Sequence, residues 1–182
     1  MNMKRLSLFA FASALIILIS GSCSSKMQSD LADESIIPAP VSSFSAGGWF
    51  KLNKNTGIFV RGGSDDLLKT GEYLAGILRL STGLKLEVKP AGDESRAGGI
   101  FLELAADSMA VKDEWYELDI TKKAVVLKAV KPEGIFRGVQ TLLQLLPAEA
   151  VGSQQAEAVW RIATGKITDY PEYSYRGAML DV

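Results

Sequence analysis

The 182 residues include 20 basic and 21 acidic side chains, a formal net charge of -1, and 47% of them are hydrophobic. That is material for one globular domain, without the basic stripe a nucleic-acid binder needs. No histidine is present, and Cys23 is the one cysteine. This excludes Ser-His-Asp and Cys-His nucleophiles, most zinc sites and an intrachain disulfide from these residues, so no metal or cofactor is expected here.

The chain opens with a positive Lys4-Arg5 pair, an apolar run from Leu6 to Ile19, and the small residues Ser20-Gly21-Ser22 directly before Cys23. The apolar run is shorter than the ~20 residues of a membrane span. Residues 1–22 resemble a bacterial lipoprotein signal peptide, although Ser20 stands where a leucine is usual. An ordinary secretory signal with a chance cysteine is the alternative. The lipoprotein pattern implies lipidation at Cys23 and a protein held to a membrane of the cell envelope, on its periplasmic or surface side. Residues 23–45 turn to Ser, Ala, Asp and Pro and read as a flexible tether. Its last stretch, IIPAPVSSF, is a candidate edge strand.

From residue 46 to 170 the pattern is that of an α+β domain. GIFVRG, at 57–62, reads as a short strand. Leu67, Gly71, Leu74 and Leu78 then fall on one face of a helix that Ser64 or Asp65 begins and Gly83 ends. LKLEV and GIFLEL alternate, placing Leu84, Leu86 and Val88, then Ile100, Leu102 and Leu104, inward. WYELDI and AVVLKAV alternate across a short polar turn, which predicts a hairpin with Tyr116, Leu118 and Ile120 inward and Trp115, Glu117 and Asp119 outward. In PEGIFRGVQTLLQLLP the positions Ile135, Phe136, Val139, Leu142, Leu143 and Leu146 form the stripe of a second helix, bounded by Pro132 and Pro147. AVWRI and GKITDYPEY follow as strand, turn and extended segment. The expected fold is two helices on one face of a mostly antiparallel sheet whose other face is partly wet.

Several motifs carry both a chemical and a plain interpretation. RGGSDD, from Arg61 to Asp66, lacks the Lys-Ser/Thr of a phosphate loop and is expected to be a turn into a helix cap. Glu117 and Asp119 share a strand face, as a carboxylate pair would, but a solvated outer face explains them. Trp49, Trp115 and Trp160 are irregularly spaced, which favours core or edge packing over a sugar-stacking platform. Arg137, Gln140 and Gln144 lie off the apolar stripe of the second helix, as surface positions or as a face that docks another domain. Residues 171–182 end in YRGAMLDV. An arginine and an acid in so apolar a run imply a strand with a functional or ion-paired Arg176 and Asp181.

Three of these stretches resemble family 20 glycoside hydrolases, the β-N-acetylhexosaminidases. GIFRGVQTLLQLLP resembles the second helix of the small domain before their barrel. EWYELDITKKAVVLKA resembles the preceding hairpin, and ITDYPEYSYRGAMLDV the link into the first barrel strand. The resemblance implies that 171–182 begin a (β/α)8 barrel, a fold of roughly 250 residues, so the chain is expected to be a fragment of a longer enzyme. It further implies removal of terminal N-acetylglucosamine or N-acetylgalactosamine from glycans, with retention, the substrate's acetamido oxygen acting as nucleophile. The Asp-Glu pair that serves this chemistry lies beyond Val182, so no catalytic residue is assigned here. Arg176 matches the arginine that hydrogen-bonds sugar hydroxyls, and the small domain is expected to pack on the barrel. α-Glucuronidases and O-GlcNAc hydrolases carry similar small domains and remain alternatives, as does a non-catalytic glycan-binding lipoprotein.

Overall fold

The computed structural model describes residue 31 and residues 36–62, 64–92, 97–105, 112–173 and 175–177. The signal segment, Cys23 and Asp181 lie outside these described residues.

Seven strands form one sheet: β1 (Ser42–Lys51), β2 (Gly57–Arg61), β3 (Val88–Pro90), β4 (Gly99–Leu104), β5 (Tyr116–Ile120), β6 (Val125–Ala129) and β7 (Arg161–Asp169), in the order β1-β7-β5-β6-β4-β2-β3. Helix α1 (Asp65–Thr82) joins β2 to β3, and α2 (Pro132–Gln144) leads from β6 towards β7. A short 3-10 turn at Ala148–Val151 follows α2.

The sheet is mixed, which corrects the antiparallel expectation. β1-β7, β7-β5 and β5-β6 pair antiparallel, whereas β6-β4, β4-β2 and β2-β3 pair parallel. The β2-α1-β3 unit is a crossover, and a crossover returns the chain in the same direction. Alternation along a strand fixes which residues face the core but not the direction of the neighbour.

Both helices cover the same face. Ile58, Val60, Ile100, Leu102, Tyr116, Leu118, Leu127 and Ile167 are buried beneath them. From α1, Leu67, Leu74 and Leu78 pack down; from α2, Ile135, Val139, Leu142 and Leu143. Gly83 ends α1 in the left-handed region, at φ 69°, and its N–H donates to the Arg79 carbonyl at 3.1 Å. Pro132 starts α2, where its missing N–H costs nothing. Phe136 departs from the predicted stripe: it is exposed and leans on the ring of Tyr73 from α1, centroids 5.6 Å apart. Trp115 is buried just ahead of β5 but is not among the residues of the core cluster.

Strand β1 reaches into the stretch read as tether, with Ser42–Ser45 paired to Gly165–Thr168 and a bulge before Trp49. β7 is continuous through Gly165, where strand, turn and extended segment were expected across AVWRI and GKITDYPEY. That glycine marks a close approach instead, because a Cβ there would collide with the backbone oxygen of Phe44. LKLEV contributes only Val88 to a strand, β3, although Leu86 is buried as expected.

The second sheet face carries polar pairs. Arg61 meets Glu103 at 3.5 Å, and Lys166 meets Glu117 at 2.9 Å. Phe59 and Phe101 stack beside them at 4.9 Å.

Candidate functional site

Strand β7 ends at Asp169, and the chain then runs along one end of α2. Here residues 36–39, Val41, residues 169–173, Arg176, the approach to β5 and the polar side of α2 enclose a groove of about 550 Å³. Its polar groups converge from sequence positions far apart.

Glu114, two residues ahead of β5, lies at its centre. Both of its carboxylate oxygens accept from Nη2 of Arg176, at 2.8 and 2.7 Å, and Oε2 also accepts from Nε of Arg137 at 2.6 Å. Arg176 donates further through Nη1 to the Tyr173 carbonyl at 2.8 Å. The Glu114 side chain is 19% exposed, against 42% for Arg176 and 53% for Arg137, so the acid is the sheltered member. Burial pushes the Glu114 carboxyl up. Hydrogen bonds and charge from the two arginines outweigh that and hold it below the usual carboxylate range. It is therefore an anion at neutral pH, and its negative charge meets two guanidinium groups.

The neighbours of Glu114 hold the same exit segment. Lys112 donates to the carbonyls of Pro171 and Glu172, at 3.1 and 3.3 Å, and its ammonium lies 4.3 Å from the centre of the Tyr170 ring. Tyr116 bridges inward. Its hydroxyl donates to Oδ2 of Asp169 at 3.3 Å and accepts from the Thr141 hydroxyl at 2.6 Å. Burial, followed by the nearby Asp169 charge, pushes that phenol far up despite the Thr141 bond. It stays protonated and keeps donating.

Arg137, Gln140 and Gln144, expected at the surface or at a docking face, line this groove. Gln144 clasps the backbone of Ile37 from both sides: its Oε1 accepts from the Ile37 N–H at 2.9 Å and its Nε2 donates to the Ile37 carbonyl at 3.1 Å. Nε2 of Gln140 is buried without a hydrogen-bond partner among the described residues. The polar side of α2 thus docks two segments of this chain. Charge-assisted bonds of this kind fix geometry more than they add stability when the partners are half exposed.

The other sequence candidates fall elsewhere. Glu117 bonds Lys166 on the outer face, raising the pKa of that lysine, and Asp119 is exposed beside them, as a solvated face requires. Trp49 stacks under Arg161 at 4.0 Å, and Trp160 packs partly buried against the core. Arg61 ties the RGGSDD turn to the Gly92 carbonyl at 2.7 Å, which is a structural bond rather than a phosphate cradle. Among the described residues no group of three or more His, Cys, Asp or Glu could hold a metal ion. Sequence patterning missed Glu114. The available signal was the charged run Lys112-Asp113-Glu114 directly before a buried strand, facing the polar side of α2.

Comparisons with known proteins agree with this architecture. The family description "Glycosyl hydrolase family 20, domain 2" matches residues 33–170. A β-hexosaminidase of Porphyromonas gingivalis is 32% identical over 185 residues, covering 99% of this chain and 23% of its own. The N-acetyl-β-hexosaminidase of Streptomyces plicatus, solved with Thio-NAglucal, superposes with a TM-score of 0.71 at 38% identity, over 79% of this chain and 27% of that one. A family 20 β-N-acetylhexosaminidase from Streptomyces coelicolor A3(2) gives the same score and identity, over 79% and 28%. The chain spans about a quarter of the length of these relatives. A mixed sheet under two helices, matched over three quarters of its length by that family's description, identifies the chain as a member of glycosyl hydrolase family 20, through its domain 2.

Proposed function

We propose that the chain is the amino-terminal part of an exo-acting β-N-acetylhexosaminidase that removes terminal N-acetylglucosamine or N-acetylgalactosamine from glycans. The observation that carries this is the 38% identity to a solved hexosaminidase through the same fold. Residues beyond Val182 would begin the rest of the barrel and supply the Asp-Glu pair. In the proposed chemistry the substrate's acetamido oxygen attacks the anomeric carbon while the glutamic acid protonates the departing glycosidic oxygen. The resulting cyclic intermediate is opened by water, which the same glutamate deprotonates, so configuration is retained.

Two features of this chain have roles in that scheme. Arg176 would bind sugar hydroxyls, since a guanidinium offers several donors in fixed geometry. The outer side of the helices would seat the barrel. Tyr73, Leu80, Phe136 and Val151 are exposed there, a cluster of large apolar groups of the kind that marks an interaction surface. We further propose a lipid anchor at Cys23 that holds the enzyme in the cell envelope. Incorporation of labelled fatty acid, lost in Cys23→Ala, is the expected result for the anchor.

The activity test uses 4-nitrophenyl N-acetyl-β-glucosaminide. The longer enzyme is expected to release nitrophenol and to lose most of its substrate affinity in Arg176→Ala. The 182-residue chain is expected to release none. Turnover by the short chain that vanishes in Arg176→Ala would overturn the proposal.

A further inference from the structure

In the described structure the guanidinium expected to bind sugar is already held by a carboxylate of the small domain. Glu114 takes both of its oxygens to Nη2 of Arg176, and Tyr173 takes Nη1. No hydrogen bond engages Nε of Arg176 among the described residues. Glu114 is itself oriented from the opposite side by Arg137 of α2, through a 2.6 Å bond. The chain leading into this contact is fixed as well, by Lys112 at the carbonyls of Pro171 and Glu172 and by Tyr116 at the Asp169 carboxylate. Lys112, Glu114 and Tyr116 come from one five-residue stretch, which leads straight into the buried strand β5.

We propose that Glu114, held by Arg137, is a positioning residue: it orients the guanidinium of Arg176 and leaves the remaining N–H groups to the sugar. This rests on the proposed function, because it requires Arg176 to contact substrate. The physical reason is preorganisation. A long arginine side chain loses rotamer freedom when it binds a ligand, and a carboxylate that has already fixed the guanidinium removes part of that cost. The bond also keeps the sugar-binding arm registered to the small domain and not to the barrel alone. That gives the small domain a part in substrate affinity without placing any of its own atoms on the sugar.

The test is a double-mutant cycle in the longer enzyme, with 4-nitrophenyl N-acetyl-β-glucosaminide as substrate. KM is the informative quantity, because an unfolded fraction lowers the apparent kcat but leaves KM unchanged. Glu114→Gln keeps the shape and removes the charge; it is expected to raise KM roughly five- to twentyfold. Glu114→Asp, which keeps the charge on a shorter arm, is expected to recover part of that loss. Combined with Arg176→Ala, Glu114→Gln is expected to add little, since its effect passes through Arg176. Multiplicative effects of the two substitutions, or an unchanged KM in Glu114→Gln, would overturn the positioning role and leave the proposed function standing. An unchanged KM in Arg176→Ala would overturn the positioning role together with the sugar contact proposed for Arg176.

Discussion

Two contact regions in this molecule are built from opposite materials. Between the helices and the sheet lies a dry layer of Leu, Ile and Val side chains, most of them with no exposed surface. At the end of α2, around Glu114, lies a groove of half-exposed charges, amides and hydroxyls. The first layer has non-directional contacts and large burial, so it supplies stability. The second has short directional bonds and little burial, so it supplies orientation. Substitutions should separate the two regions: damage to the dry layer unfolds the domain, while damage to the groove releases a segment of a folded one.

The largest effect is expected from Leu142→Ala on α2, where the side chain is fully buried. It should cost about 2–5 kcal/mol in urea unfolding, through lost transfer energy and a cavity. Gly138→Ala comes next. A Cβ there would strike the tip of Leu127, with Tyr116 at 3.0 Å, so the helix must rise off the sheet or Leu127 must rotate. About 1–3 kcal/mol is expected. Tyr116→Phe sits where the two regions meet. It removes the hydroxyl between Thr141 and Asp169, and should cost about 1 kcal/mol while loosening residues 169–173 in hydrogen exchange.

The smallest effect on global stability, under about 1 kcal/mol, is expected from Glu114→Gln, whose arginine partners are solvent-screened. Its signature is a pH dependence. The folded carboxyl titrates below its unfolded value, so its contribution is fully present above the unfolded pKa and is lost as pH falls through the folded one. The stability difference between wild type and Glu114→Gln should therefore close in acid. A difference that stays constant down to pH about 3 would show that the charge is not the source.

How much of this was legible in the residues depended on whether a pattern was local. Both helices followed from period and punctuation, with Gly83 and Pro132 at their ends. The β5-β6 hairpin followed from alternation across Thr121–Ala124, where the Thr121 hydroxyl ties the turn. The direction of the β4-β2-β3 pairs did not follow, because alternation is the same in parallel and antiparallel strands. The continuity of β7 between AVWRI and GKITDYPEY did not follow either, because the reason for Gly165, the Phe44 backbone, lies far away in sequence. Phe136 sits at the border of its stripe, and only the position of Tyr73 on the other helix decides which way it goes. At the candidate site, Arg176 was visible through family resemblance. Glu114 was not, because its partners are 23 and 62 residues away and no local spacing joins them.

The outermost pairing has a mechanical consequence. β1 begins at Ser42 opposite Thr168 of β7, and the Val41 N–H donates to the Asp169 carboxylate at 3.2 Å. β1 thus starts and β7 finishes at the same corner of the sheet, side by side. A load applied between residues 41 and 170 would act on one rung at a time, peeling β1 from β7 from that corner rather than shearing all rungs at once. The hydrophobic interior would feel such a load once the peel reached the far rungs, where Phe50 of β1 is buried in the core.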